Sequence, residues 1–161
     1  MAKFRSGFVS NSSSSSFVVG FDKKPESVDE LKTVLFGDAE VYGSPYGNQT
    51  WSTQEVARIV WYDLNTQIPA TEEKVHDELG SGYFKGRPEF PFHLSNQKGV
   101  WESYEQKVDQ ALDRCTQRVM KMLKGKKIFI FEYSDNDGDL QSAMEHGDLF
   151  DKLPHEVVSK H

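Results

Sequence analysis

Five consecutive serines, Ser12 to Ser16, lie just before the last residue of the stretch Arg5–Phe17, which reads RSGFVSNSSSSSF. A serine tract near a chain terminus is ordinarily a flexible linker. Here apolar pieces bracket it, Phe8-Val9 before and Phe17-Val18-Val19 after, and that predicts an ordered loop. Small side chains leave backbone N–H groups accessible and hydroxyls add donors, so such a loop is suited to an anion. The expected anion-binding set is Arg5, Asn11, Ser12, Ser13, Ser14, Ser15 and Ser16, with Arg5 as the counter-charge and a phosphate-like small molecule as the ligand.

The opposite end of the chain carries the other reactive types. Three of the five histidines, His146, His155 and His161, fall between Glu145 and the C-terminal residue. Histidine beside carboxylates can bind a metal or move protons. The expected acid–base set is His146, His155 and Glu145; the expected metal set is His146, His155 and Asp148, with Glu145 or Asp151 completing the shell. In an extended strand His155 and His161 share a face but lie about 20 Å apart, too far to share an ion. His146 and His155 meet only if residues 147–154 fold back as a compact turn. Glu145 and His146 are adjacent, so a regular strand turns them to opposite faces. The competing account has these histidines bonding backbone groups in a small C-terminal unit. A serine of the tract with His146 or His155 as base is a further reading, but no nucleophile-elbow pattern is present. The loop is then expected to lie against residues 145–155, joining the two ends in one polar site.

Two other patterns fail on spacing. Asp135, Asp137 and Asp139 alternate around Gly138, yet an EF-hand counted from Asp135 needs Gly where Leu140 stands and Glu where His146 stands. Gly80, Gly82 and Gly86 do not have the spacing of a dinucleotide-binding loop, and no strand precedes them.

Composition sets the frame. At 161 residues one domain over the whole chain, 1–161, is the natural expectation. Hydrophobic residues at 37% and charged residues at 27% fit a globular protein. A net charge of −6 argues against extended nucleic-acid binding, which needs a basic surface. The cluster Lys121, Lys124, Lys126 and Lys127 reads as the solvated C-terminal end of a helix. Cys115 is the only cysteine, so no disulfide forms within the chain and a reducing, cytoplasmic setting is expected. No apolar run approaches the ~20 residues of a membrane span, and Met1–Arg5 leads into no signal-peptide core.

These residues must be positioned by regular elements. Phe17–Phe21 reads as a buried strand. Ser27 with Glu30, and Ser52 with Glu55, are capping-box pairs; they predict a helix from Ser27 to Phe36 and a second helix burying Val56, Ile59, Val60 and Leu64. Thr71 caps a third, ending at Leu79-Gly80. Residues 42–50 read as a loop, and Ser81–Gly99 as a long irregular segment. Trp101, Tyr104, Val108, Leu112, Cys115, Val119 and Met122 advance by threes and fours, predicting a long helix over Val100–Lys124, capped by Gly125. Lys127–Tyr133 is the clearest strand. Asp137-Gly138 signals a hairpin with Leu140–His146 returning, and Glu156–Lys160 a last short strand. The expected fold class is α+β: a small, mostly antiparallel sheet with a long helix from the C-terminal half packed on it.

The segment RSGFVSNSSSSSF resembles the N-terminal signature of a poorly characterised family of proteins from large tailed bacteriophages and some bacteria. FEYSDNDG at Phe131–Gly138, and EHGDLF, LPH and SKH between Glu145 and His161, are similar to the same group. The resemblance implies a phage-type protein in the host cytoplasm and brings no activity or cofactor. Two functions follow as expectations. One is a ligand-binding protein or enzyme with a Ser-rich anion loop and a His/carboxylate site. The other is a non-catalytic interaction protein that binds a host component during infection, using exposed aromatics such as Trp51, Tyr42 and Tyr46. A pocket joining the serines and histidines favours the first; a flat aromatic patch favours the second.

Overall fold

Hydroxyl caps start three helices where their spacing predicts. In the computed structural model, which describes residues 13–82, 87–90 and 101–160, the Ser27 hydroxyl accepts from the Glu30 N–H at 3.0 Å and opens helix α1, Val28–Phe36. Ser52 accepts from the Glu55 N–H at 3.1 Å and opens α2, Thr53–Asn65. Thr71 accepts from the Lys74 N–H at 3.3 Å and opens α3, Glu72–Gly80. Each cap satisfies an N–H that the first helical turn leaves without a partner.

The main sheet has three strands in the order β4-β1-β5, both pairings antiparallel: β1 is Ser14–Phe21, β4 is Lys127–Ser134 and β5 is His155–Ser159. Every residue of β1 is buried, because a strand lies on each side and helices cover both faces. Alternation sorts its side chains. Phe17, Val19 and Phe21, with Phe129, Phe131 and Tyr133 of β4, face α1, α2 and Leu149-Phe150. Val18, with Ile128 and Val158, faces α3 and the long helix α4, Trp101–Met122. The fold is α+β as expected, with α4 packed on the sheet through Leu112, Cys115 and Val119. Val108 is partly buried against the same cluster; Met122 turns outward and Leu123 takes the buried position instead. The side chain of Trp101 lies outside the described residues. Gly125, at φ +76, makes the tight turn from α4 into β4.

One edge of the sheet is closed by a side chain. Gln67, between α2 and α3, donates from Nε2 to Ile130 O and accepts from Ile130 N at Oε1, both at 2.9 Å. Ala70 N donates to Ile128 O at 2.7 Å. At Ile128 and Ile130 the outer rim of β4 thus finds partners that a further strand would otherwise supply.

Three expectations are corrected. Residues 42–50 are not simply a loop: β2, Val41–Gly43, pairs antiparallel with β3, Thr50–Ser52. Leu140–His146 is not a returning strand. A 3-10 turn over Asp135–Asp137 leads into helix α5, Asp139–His146, whose Ala143 and Met144 are buried. Ser14, Ser15 and Ser16 are not a loop but the first residues of β1. Of Ser81–Gly99, residues 81–82 and 87–90 are described. There Arg118 of α4 forms ion pairs with Glu89 and, at 3.0 Å, with Glu156 of β5, holding that piece of chain on the helix. The charge-assisted bonds that Arg118 donates to Glu156 and then to Glu89 raise its pKa. Burial works to raise the Glu89 carboxyl, but its bonds with Arg118 prevail and leave it below the usual range. No helix among the described residues is long and apolar enough to cross a membrane.

Candidate functional site

The antiparallel register places Ser14 opposite Ser134, so the residues just beyond, Ser13 and Asp135, also meet. Asp135 N donates to Ser13 O at 3.2 Å, and Ser13 N donates to Asp135 Oδ1 at 2.8 Å. The Ser134 hydroxyl donates to the same Ser13 O at 3.0 Å. Helix α5 starts four residues after Asp135 and runs back, so that its last turn returns to Ser13. The Ser13 hydroxyl lies 3.0 Å from Glu145 Oε2, 3.2 Å from Asp135 Oδ2 and 3.3 Å from His146 Nε2. His146 Nε2 is itself 3.1 Å from Glu145 Oε2. The Glu145 side chain is fully buried, whereas the His146 ring is 23% exposed.

Hydrogen accounting narrows what this cluster can do. A serine hydroxyl carries one hydrogen, and two carboxylates and an imidazole surround it. Where His146 Nε2 carries a hydrogen, Glu145 Oε2 at 3.1 Å is an acceptor for it. That nitrogen then cannot also accept the serine hydrogen, which goes to a carboxylate. A catalytic triad puts the acid on one ring nitrogen and the nucleophile on the other. Here Glu145 and the serine meet the same nitrogen, so Glu145 does not stand in the place of a triad acid to Ser13 and His146.

The β2–β3 hairpin leans on this region. Tyr46, in its turn, sets its ring edge-on to His146 with centroids 5.4 Å apart. The Tyr42 hydroxyl donates to Ala143 O at 3.1 Å in α5. Burial, then Asp148 and Asp151, push the Tyr42 phenol well above its ordinary value, so it stays a donor. Gly147 is required at this contact: a Cβ there would sit 2.4 Å from Tyr42 Oη and 2.5 Å from Ala143 O.

The two ends of the chain therefore meet at Ser13, Glu145 and His146. Arg5, Asn11 and Ser12 lie outside the described residues, as do His93 and His161. Ser15 and Ser16 are paired on both sides, with Tyr133 and Glu132 of β4 and with Ser159 and Val158 of β5, so their backbone groups belong to the sheet instead of an anion cradle. Ser14, opposite Ser134, accepts from Lys160 N at 3.0 Å. His155 is elsewhere. It pairs with Val19, six residues along from Ser13, which is about 20 Å of strand. Its Nδ1 donates to Leu153 O at 2.9 Å, and its ring sits 6.5 Å from both Phe17 and Phe150. Asp148 is exposed beside Tyr42. The metal set His146, His155 and Asp148 is thus not assembled, and no group of three or more His, Cys, Asp or Glu among the described residues is placed to hold an ion. Of the three aromatics expected at an interaction surface, Tyr42 is buried, Trp51 is partly buried against the core, and Tyr46 is 68% exposed.

Asp135 is the member of the cluster that sequence reasoning missed, because its alternation with Asp137 reads as a solvated turn. Its position directly after a strand that pairs with the serine tract was the available signal. No family model, no curated protein and no solved structure matches this chain.

Proposed function

We propose that the chain is a small-ligand-binding protein or enzyme that uses Ser13, Glu145 and His146 for proton transfer to or from a polar ligand. One observation carries this reading: a single ring nitrogen, His146 Nε2, touches a fully buried carboxylate and a hydroxyl while its ring reaches solvent. Imidazole has two nitrogens, so a proton taken up at one can leave from the other. The ring can in this way relay protons between Glu145 and the surface, with Ser13 fixing the carboxylate. Two carboxylates around the serine favour a neutral or cationic ligand group over a phosphate. The phage-type origin and host-cytoplasmic setting remain part of this proposal, on the resemblance of Arg5–Phe17.

The test is a ¹H–¹⁵N spectrum of the His146 ring, titrated with ethanolamine and separately with inorganic phosphate. Movement with ethanolamine that Glu145→Gln abolishes is the expected result. Movement with phosphate alone returns the site to an anion-binding reading. A ring that answers neither probe reduces the cluster to a structural tie between the chain ends.

A further inference from the structure

A concave site adjoins the Ser13–Glu145–His146 cluster and shares none of its residues. Gln141 precedes Glu145 by one turn of α5, and Asp137 follows Asp135 by two residues in the 3-10 turn. Both line an open cleft of about 500 Å³ that has Arg58, Tyr62 and Asp63 of α2 and Glu132 of β4 on its other side. This volume is in the ~300–1,000 Å³ range of small-ligand sites. Arg58 and Tyr62 stand one turn apart, with Asp63 directly after, next to the face that buries Val56, Val60 and Leu64.

The lining selects a ligand class. Asp63, Glu132 and Asp137 oppose a phosphate or carboxylate. Arg58 opposes a simple cation, and Glu132 is already engaged by Lys160 Nζ at 3.0 Å. Hydroxyl groups both donate and accept, so a guanidinium, an amide and carboxylates around one cleft can satisfy several of them at once. The Tyr62 ring is 70% exposed beside the half-buried Ile59, an apolar platform for the C–H face of a saturated ring. Asp63 is held from below: the hydroxyl of the buried Tyr133 donates to its Oδ2 at 3.2 Å, leaving Oδ1 for a ligand.

We infer that this cleft binds a carbohydrate, with one sugar ring on Tyr62 and its hydroxyls held by Arg58, Asp63 and Gln141. The inference does not depend on proton transfer at His146.

Backbone amide spectra of the full chain, titrated at millimolar concentration with maltotriose, cellotriose and triacetylchitotriose, test it. Glucose 6-phosphate and putrescine serve as charged controls. The expected result is that a neutral trisaccharide shifts amides of α2 and α5, and that Tyr62→Ala weakens binding about tenfold, the scale of one lost ring contact. Tyr62 is exposed, so this variant keeps the fold, which its circular dichroism verifies. Gln141→Ala should weaken binding as well. No shift with any trisaccharide, a response to a charged control alone, or unchanged binding in Tyr62→Ala overturns the inference.

Discussion

Ser13 Oγ and Glu145 Oε2 lie 3.0 Å apart although 132 positions of chain separate them. The contact spans nearly the whole sequence, and it is buried. Replacing Ser13 with Ala leaves a carboxylate in the interior without this donor, a loss of about 1–3 kcal/mol. Urea unfolding of Ser13→Ala, Glu145→Gln and the double variant measures it. The two changes should be non-additive by roughly 0.5–3 kcal/mol; simple addition would mean the two groups do not act together.

Leu112→Ala should cost about 2–5 kcal/mol, because the side chain fills the space between α4 and Gly80 of α3 in the second core. Equilibrium unfolding checks this. A loss near the ~0.5 kcal/mol of an ordinary surface change would remove Leu112 from the core.

Arg118 bridges Glu89 and Glu156, and the Arg118 side chain is 37% exposed. Arg118→Ala is expected to cost about 1–3 kcal/mol, less than breaking a fully buried pair. The pH dependence has a definite sign. The carboxyl of Glu89 titrates lower in the fold than in the unfolded chain, so its contribution is present above the ordinary glutamate range near pH ~4 and lost as pH falls through the folded value. Acid titration of stability should show a steeper fall in the wild type than in Arg118→Ala.

Asp63 has the opposite sign. Its burial raises the carboxyl despite the hydrogen bond from Tyr133, so the fold favours its protonated form. The stability it contributes is complete below the ordinary aspartate range, near pH ~4, and declines as pH rises through the folded value. Asp63→Asn keeps an acceptor for the tyrosine and carries no charge. It should remove that decline, leaving stability at neutral pH unchanged or higher in thermal unfolding. A marked loss at neutral pH would show that the ionised carboxylate supports the fold.

Gln67→Ala should cost about 1–3 kcal/mol, since Ile130 loses both backbone partners at a half-covered edge. Amide exchange at Ile130 should accelerate with it. Unchanged protection there would mean that another group covers the rim.

Helix starts were legible because Ser27, Ser52 and Thr71 announce themselves by local chemistry, and α4 because its stripe repeats over many turns. Helix α5 was misread because Asp137-Gly138 is a strong hairpin signal. Leu140, Ala143 and Met144 do stand at helical spacing, but over too short a stretch to outweigh that turn. The serines of β1 were misread for a deeper reason. Their burial comes from two neighbouring strands, and no property of a serine run encodes that. The meeting of Ser13 with Glu145 and His146 could be anticipated from polarity at both ends of the chain. The exclusion of His155 could not, since it depends on the register of β5 against β1. Asp63 was hidden because α2 was read only for its apolar face.

The double hydrogen bond from Gln67 to Ile130 also bears on self-association. A sheet with two open edges can recruit copies of itself without end, which is the geometry of fibres. Here a side-chain amide imitates the missing neighbour at Ile130, and Ala70 N does so at Ile128. A strand arriving at this rim would first have to displace both contacts. The short connection between α2 and α3 thus protects part of an exposed edge as well as joining two helices.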